Sequence, residues 1–159
     1  MNKNILYIVL FACIFSACEK DDICLSPTTP KLILRFYDTS DPLTLKAPTN
    51  LSIWAEGKDT LATFKNVSLD SVYLPLNTNT SQTVYNFKTS TTGNIADNLY
   101  NKITISYTTE EIFVSRSCGL KSIFNTVTIT SDTGWFQSFT PNSITTIDNE
   151  TSAHVKIYH

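Results

Sequence analysis

Only four glycines occur in the 159 residues, at Gly57, Gly93, Gly119 and Gly134. They stand too far apart to form a phosphate-cradling loop, which excludes the common nucleotide-binding signatures. Histidine is scarcer still, with only His154 and His159. Five residues apart on a strand, they would point to opposite faces, a poor arrangement for sharing a metal. No cysteine or carboxylate cluster lies beside them in sequence, so neither a metal nor a cofactor is expected. Charge is also sparse, 12 Lys+Arg against 14 Asp+Glu, and no basic stripe emerges, which disfavours nucleic acid as a partner. No window offers a helical stripe, although Ile95 to Tyr100 has room for one turn.

The single long apolar run, Ile5 to Phe15, follows Lys3 and precedes Ser16-Ala17-Cys18. A charged start, a short apolar stretch and small residues before a cut are the parts of a secretory signal. As a helix the run would span roughly 16 Å, about half a hydrocarbon core, and so is too short to remain in a membrane. An ordinary signal peptide with a cysteine at the cut is one reading. Phe15-Ser16-Ala17-Cys18, however, resembles a lipobox. That resemblance implies cleavage before Cys18, diacylglycerol on its sulfur, and a fatty acyl chain such as palmitate on the new amino terminus. Residues 1–17 are then the signal, 18–30 a lipidated tether and 31–159 one domain, with 142 residues left after cleavage, enough for a sizeable core.

Cysteine parity supports this division. Cys13 leaves with the signal and Cys18 takes lipid, so Cys24 and Cys118 remain and, in an oxidising compartment, most simply form a disulfide. A free, reactive Cys118 is the competing reading, although no neighbouring histidine or lysine cluster would activate it.

After Ser26-Pro27-Thr28-Thr29-Pro30, strand signals run to the end of the chain. Leu32, Leu34 and Phe36 alternate with Ile33, Arg35 and Tyr37, and Leu51, Ile53 and Ala55 with Ser52, Trp54 and Glu56. Val72 to Leu76, Val84 to Phe87, Lys102 to Tyr107, Ile112 to Val114, Val127 with Ile129, and Val155 with Ile157 bring the count to about eight runs. Alternation over 4–8 residues rich in β-branched and aromatic side chains is the half-buried strand pattern. The separators are turn chemistry: Asp41-Pro42, Glu56-Gly57-Lys58-Asp59, Asn77-Thr78-Asn79, Thr92-Gly93-Asn94 and Asp132-Thr133-Gly134. The expected fold is all-β, an antiparallel sandwich (immunoglobulin-like or related) of seven or eight strands, with a closed barrel as the alternative.

No catalytic set is complete. Glu110-Glu111 would point to opposite faces of an extended segment, and a paired-carboxylate hydrolase would need one of them to meet Asp70 or Asp97 in space. A glutamate pair on a hairpin turn is the plainer reading. Asp38 and Asp41 offer oxygens for calcium but lack an EF-hand frame. Ser115-Arg116-Ser117-Cys118-Gly119 lacks the frame of a nucleophile elbow. The eighteen aromatics are more informative. Trp54 shares a face with Ser52 and Glu56, and Trp135-Phe136 follows a turn. Exposed, these rings would stack on a sugar or anchor a protein interface; otherwise they cover core edges.

Cys18-Glu19-Lys20-Asp21-Asp22 resembles the export signal of Bacteroidota surface lipoproteins, in which a lysine and two acids follow the lipidated cysteine. The resemblance implies the outer face of the outer membrane, a periplasm-facing anchor being the alternative. Asp59-Thr60-Leu61 and Asp70-Ser71-Val72 resemble the sites such bacteria O-glycosylate, which implies modification of Thr60 and Ser71. Cys24, the run from Thr29 to Asp38, Leu74-Pro75-Leu76-Asn77 and Phe113 to Gly119 are similar to a family of small lipoproteins of that phylum with no assigned activity. That likeness implies a small all-β domain and agrees with the Cys24–Cys118 pairing. The functional expectation is a lipid-anchored envelope protein that binds a glycan or an envelope protein without catalysis. A hydrolase using Glu110 or Glu111, or a structural assembly factor, are the alternatives.

Overall fold

The alternation read from the sequence becomes two facing sheets. In the computed structural model, which describes residues 23–24 and 28–159, the strands are β1 (Leu32–Tyr37), β2 (Ser52–Ala55), β3 (Ser71–Leu74), β4 (Gln82–Ser90), β5 (Asn98–Ser115), β6 (Gly119–Ser131), β7 (Ser138–Thr140), β8 (Ser143–Ile147) and β9 (Val155–Tyr158). One sheet has the order β3-β1-β9-β7 and the other β2-β4-β5-β6-β8. Neither closes on itself, so the fold is a sandwich and not a barrel. Pairing is antiparallel except between β1 and β9, which run parallel from Leu34↔Val155 to Tyr37↔Tyr158. Two short 3-10 turns, Ala62–Phe64 and Ile95–Asp97, are the helical pieces among the described residues.

The period-2 rule sends Leu32, Leu34, Phe36, Val72, Leu74, Val155 and Ile157 inward from the smaller sheet. Ile53, Tyr85, Phe87, Ile103, Ile105, Tyr107, Phe124, Val127, Ile129 and Ile147 meet them from the larger one. Burial of such side chains contributes about 1.5–3 kcal/mol each, so this double layer is the main stabilising term. At one end of the core, the Asn77 amide donates to Thr83 Oγ1 at 3.0 Å, the Tyr107 hydroxyl donates to Asn77 O at 2.8 Å, and Thr83 Oγ1 meets Tyr107 Oη at 2.5 Å. Beside this ring the Tyr85 hydroxyl donates to Pro75 O. Burial, reinforced by Tyr107, pushes its pKa up to about 12. These hydroxyls fasten the β3–β4 connection to the sheet.

Two expectations change and one holds. Ile112–Val114 is not a separate strand but the continuation of β5. The polar stretch Thr108 to Glu111 breaks the apolar alternation by which one strand is recognised, because β5 there runs past the core; the bulge opposite Ser106–Thr108 lies in β6, at Thr126. Strands β7 and β8 escaped notice because their Ser- and Thr-rich segments lie at sheet edges and bury little. Cys24 and Cys118 do form a disulfide, closing a sequence separation of 94 and tying the entry segment to the β5–β6 turn.

Candidate functional site

On the outer face of the larger sheet, register brings three distant segments into one row. Ser52 pairs with Lys88 and Lys88 with Tyr100, so the three side chains lie abreast across β2, β4 and β5. The chain after β2 turns at Gly57, whose φ of +70° suits glycine, and folds back beside β2 through the bridges Trp54↔Thr60 and Leu51↔Val67. Ser52 Oγ donates to Asn66 Oδ1 and accepts from the Asn66 amide, both at 3.0 Å, which pins the returning segment. Between this segment and the sheet lies an open cleft of about 410 Å³.

The cleft combines an aromatic wall with a cationic rim. Trp54 and Tyr100 meet edge to face, ring centroids 6.5 Å apart at 82°. Trp54 is half-buried and Tyr100 exposed. Lys58, Lys65 and Lys88 line the same space against one acid, Asp59. Lys88 Nζ donates to Asn66 Oδ1 at 3.4 Å, which ties its head to the returning segment. The neighbouring acid Glu56 is held instead by Lys102 at 3.5 Å and by Asn86 Nδ2, which donates to its Oε2 at 2.7 Å. The Asn86 hydrogen bond, followed by the Lys102 charge, holds its carboxyl below the usual range, so this acid stays ionised and paired beside the cleft.

The other sequence candidates fall elsewhere. Phe136 is 8 % exposed and packs in the core against Phe36 and Phe87, so it is not a surface ring. Trp135 stacks on Phe36 at 6.0 Å and meets His159 edge-on at 5.2 Å, which makes it a cover for the core's end more than an exposed platform. Its Nε1 is buried with no hydrogen-bond partner. A second cavity of about 370 Å³ lies beside it, lined by Lys46, Pro48, Thr89, Leu99 and His159 among others.

Glu110 and Glu111 are not at a turn. They sit within β5, paired with Ile123 and Ser122, and Glu110 Oε2 accepts from Asn125 Nδ2 at 2.7 Å. Asp97 lies before the opposite end of β5, and Asp70 caps the start of β3, so neither meets the glutamates. The carboxylate pairing that a hydrolase would need is therefore not formed. Asp38 and Asp41 are each satisfied within their own loop, by the Ser40 amide and Lys46 for the first and by Leu43 and Thr44 for the second. Ser115 to Gly119 forms the β5–β6 turn.

His154 and His159 are half-buried. His154 Nδ1 accepts from the Ile33 amide at 2.9 Å, and its Nε2 lies 3.0 Å from Asn149 O. Among the described residues no group of three His, Cys, Asp or Glu is placed to hold a metal.

Thr60 lines the cleft itself, and Ser71 opens β3, where its hydroxyl accepts from Arg35 Nε and donates to Asp70. Cys18 and the segment Glu19, Lys20, Asp21 and Asp22 lie outside the described residues. Sequence reading found Trp54 but missed Lys58, Lys65, Lys88, Asn66 and Tyr100. The register that unites them is invisible until the strands pair.

A model described as a family of unknown function, DUF6452, matches residues 50–159. The chain belongs to this family. The DUF6452 region contains the whole cleft, from Ser52 to Tyr100, together with β2 to β9 and Cys118. Strand β1 and Cys24 lie before it, although β1 is an interior strand of the smaller sheet. No curated protein and no solved structure matches the chain.

Proposed function

We propose that this DUF6452 domain is a non-catalytic binding module of the bacterial cell envelope, and that its Trp54 cleft takes a saccharide carrying negative charge. The observation that carries this reading is the meeting of an indole and a phenol with three lysines around one open cleft. An aromatic face suits the apolar face of a sugar ring, while ammonium groups pair with a carboxylate, sulfate or phosphate substituent. The open shape and the absence of converging acids in the lining favour binding over bond cleavage. Lipidation of Cys18 would hold the module at the outer membrane, and Lys20-Asp21-Asp22 supports its display on the cell surface.

Titration calorimetry of acidic and neutral polysaccharides from bacterial envelopes and host mucus tests the ligand. Trp54→Ala is expected to weaken binding at least tenfold, equivalent to about 1.4 kcal/mol. Because the lysines are largely exposed, affinity should also fall as salt rises. Unchanged binding by Trp54→Ala, or equal affinity for neutral chains, overturns the reading. For orientation, protease shaving of intact cells compares the native chain with a variant carrying alanine at positions 20–22. Equal protection of the two contradicts surface display.

A further inference from the structure

The long hairpin of β5 and β6 outruns its sheet. Pairing of β4 with β5 ends at Gln82↔Ser106, and pairing of β8 with β6 ends at Phe124↔Ile147. Beyond those points, among the described residues, the segments 110–115 and 119–123 have only each other as strand partners. They form a two-stranded arm, a marginal structure unless something braces it. The bracing is visible. The Cys24–Cys118 disulfide ties the entry segment to the arm's turn, and the Ser122 amide donates to Thr29 Oγ1 at 3.0 Å.

The arm ends in apolar surface. Phe113 and Leu120 are direct cross-strand partners and so share one face. They are 67 % and 59 % exposed, and Ile23, next to the disulfide, is 79 % exposed. Arg116 stands in the turn between the strands. Among the described residues no neighbouring element covers Phe113 and Leu120, yet a disulfide and a hydrogen bond hold the arm in place.

Chain length says what lies nearby. Cys18 precedes Cys24 by six residues, which reach at most about 20 Å when extended. Cys24 is fixed to Cys118, two residues from Leu120. Lipid on Cys18 thus keeps the arm's tip within one short tether of the bilayer. Tyr100 and the cleft lie thirteen residues back along β5, about 40 Å away at strand rise.

We propose that the β5–β6 tip, through Phe113 and Leu120 with Ile23, rests in the interfacial layer of the membrane that holds the lipid anchor. The occupant of this surface is lipid. Apolar side chains enter the acyl boundary while Arg116 stays at the level of the headgroup phosphates. Insertion is shallow, because Glu111 lies on the same face two residue pairs behind Phe113 and must remain in water. Contact at the tip would stand the sandwich upright and point the Trp54 cleft away from the membrane. This inference rests on lipidation of Cys18, but not on the identity of the cleft's ligand.

The test uses lipidated full-length chain, purified from membranes and weighed by mass spectrometry. It is reconstituted into phosphatidylcholine vesicles with or without brominated acyl chains. Phe113→Trp and Leu120→Trp report on the tip. Ile95→Trp, in the β4–β5 connection at the far end, is the control. Brominated lipid is expected to quench at least half of the emission added by Phe113→Trp or Leu120→Trp, and none of that added by Ile95→Trp. Equal quenching at all three positions, or at none, overturns the apposition while leaving the anchor intact. A mass without lipid overturns the anchor itself and the apposition with it. A blue-shifted Phe113→Trp in native membranes that is unquenched in pure lipid vesicles assigns the tip to a protein partner and also overturns the proposal.

Discussion

Asn101 is 2 % exposed and serves as the hub that fixes the β6–β7 loop against β5. Its Nδ2 donates to Asp132 O at 3.0 Å, and lies 3.2 Å from both Ser131 Oγ and Asp132 Oδ1, while its Oδ1 accepts from the Phe136 amide at 2.8 Å. Asn101→Leu keeps the number and branching of heavy atoms and removes every bond. Asp132 O retains the Ser131 hydroxyl and Asp132 Oδ1 retains the Lys102 amide, so neither is orphaned. The Phe136 N–H is left buried without a partner, which costs about 1–3 kcal/mol. The net loss of the remaining hydrogen bonds adds about 1 kcal/mol. A total of about 3 kcal/mol should lower the melting temperature of a domain this size by about 10 °C. Thermal melting by circular dichroism gives the shift, and urea unfolding with an unchanged slope shows that stability alone has moved. Hydrogen exchange at the Phe136 amide should accelerate more than at Ile105, mid-strand in β5. A loss under about 1 kcal/mol would refute the claim that this carboxamide organises the loop.

Gly134 approaches the same hub so closely that an added Cβ would stand 2.2 Å from Tyr100 O and 2.4 Å from Asn101 Oδ1. Gly134→Ala should therefore cost about 1–3 kcal/mol by displacing the loop, and a melting temperature equal to the native one would contradict that. Replacing Cys24 and Cys118 together by serine releases a 94-residue constraint on the unfolded chain, up to about 4.7 kcal/mol in the chain-entropy model. Melting with and without reductant should reproduce that loss in the native protein and show no difference in the double variant. Burial holds His154 and His159 below the ordinary histidine value of 6.5, against the opposing pull of their hydrogen bonds. The unfolded chain thus binds protons first as pH falls. Stability is full above about pH 6.5 and is lost as pH drops through the folded values. Urea midpoints at pH 7.5 and pH 5 should differ in that direction, less so in His154→Gln, and a midpoint that rises on acidification would reverse the argument.

Much of the fold was legible because the strand period is short and local. The alternation of Leu32 to Tyr37, of Leu51 to Glu56 and of Lys102 to Tyr107 announces half-buried strands without reference to any neighbour. Turn residues such as Gly57 and Gly93 do so as well, since only a few residue types accept positive φ. The disulfide followed from counting thiols. Where the sequence misled, a distant partner had decided the outcome. Trp135 and Phe136 follow a turn, which left both an exposed surface and a core edge open for them; Asn101, 35 positions earlier, draws the Phe136 amide inward. Glu110 and Glu111 read as turn residues because β5 outruns the core at Thr108, and its polar residues there interrupt the apolar pattern that would have marked one long strand.

By itself the sequence determined that this chain builds two-faced strands, and it marked the residues that turn them. Its Phe-Ser-Ala-Cys segment carried the whole expectation of a lipid anchor. Tertiary structure alone decided which strands are neighbours, including the parallel pairing of β1 with β9. With that pairing came everything that depends on register. Lys88 meets Ser52 and Tyr100 beside Trp54, and Phe113 meets Leu120 on an arm whose tip is largely exposed among the described residues. The reason is physical: side-chain period is set by the local backbone, whereas register is set by hydrogen bonds and packing between segments that are distant along the chain.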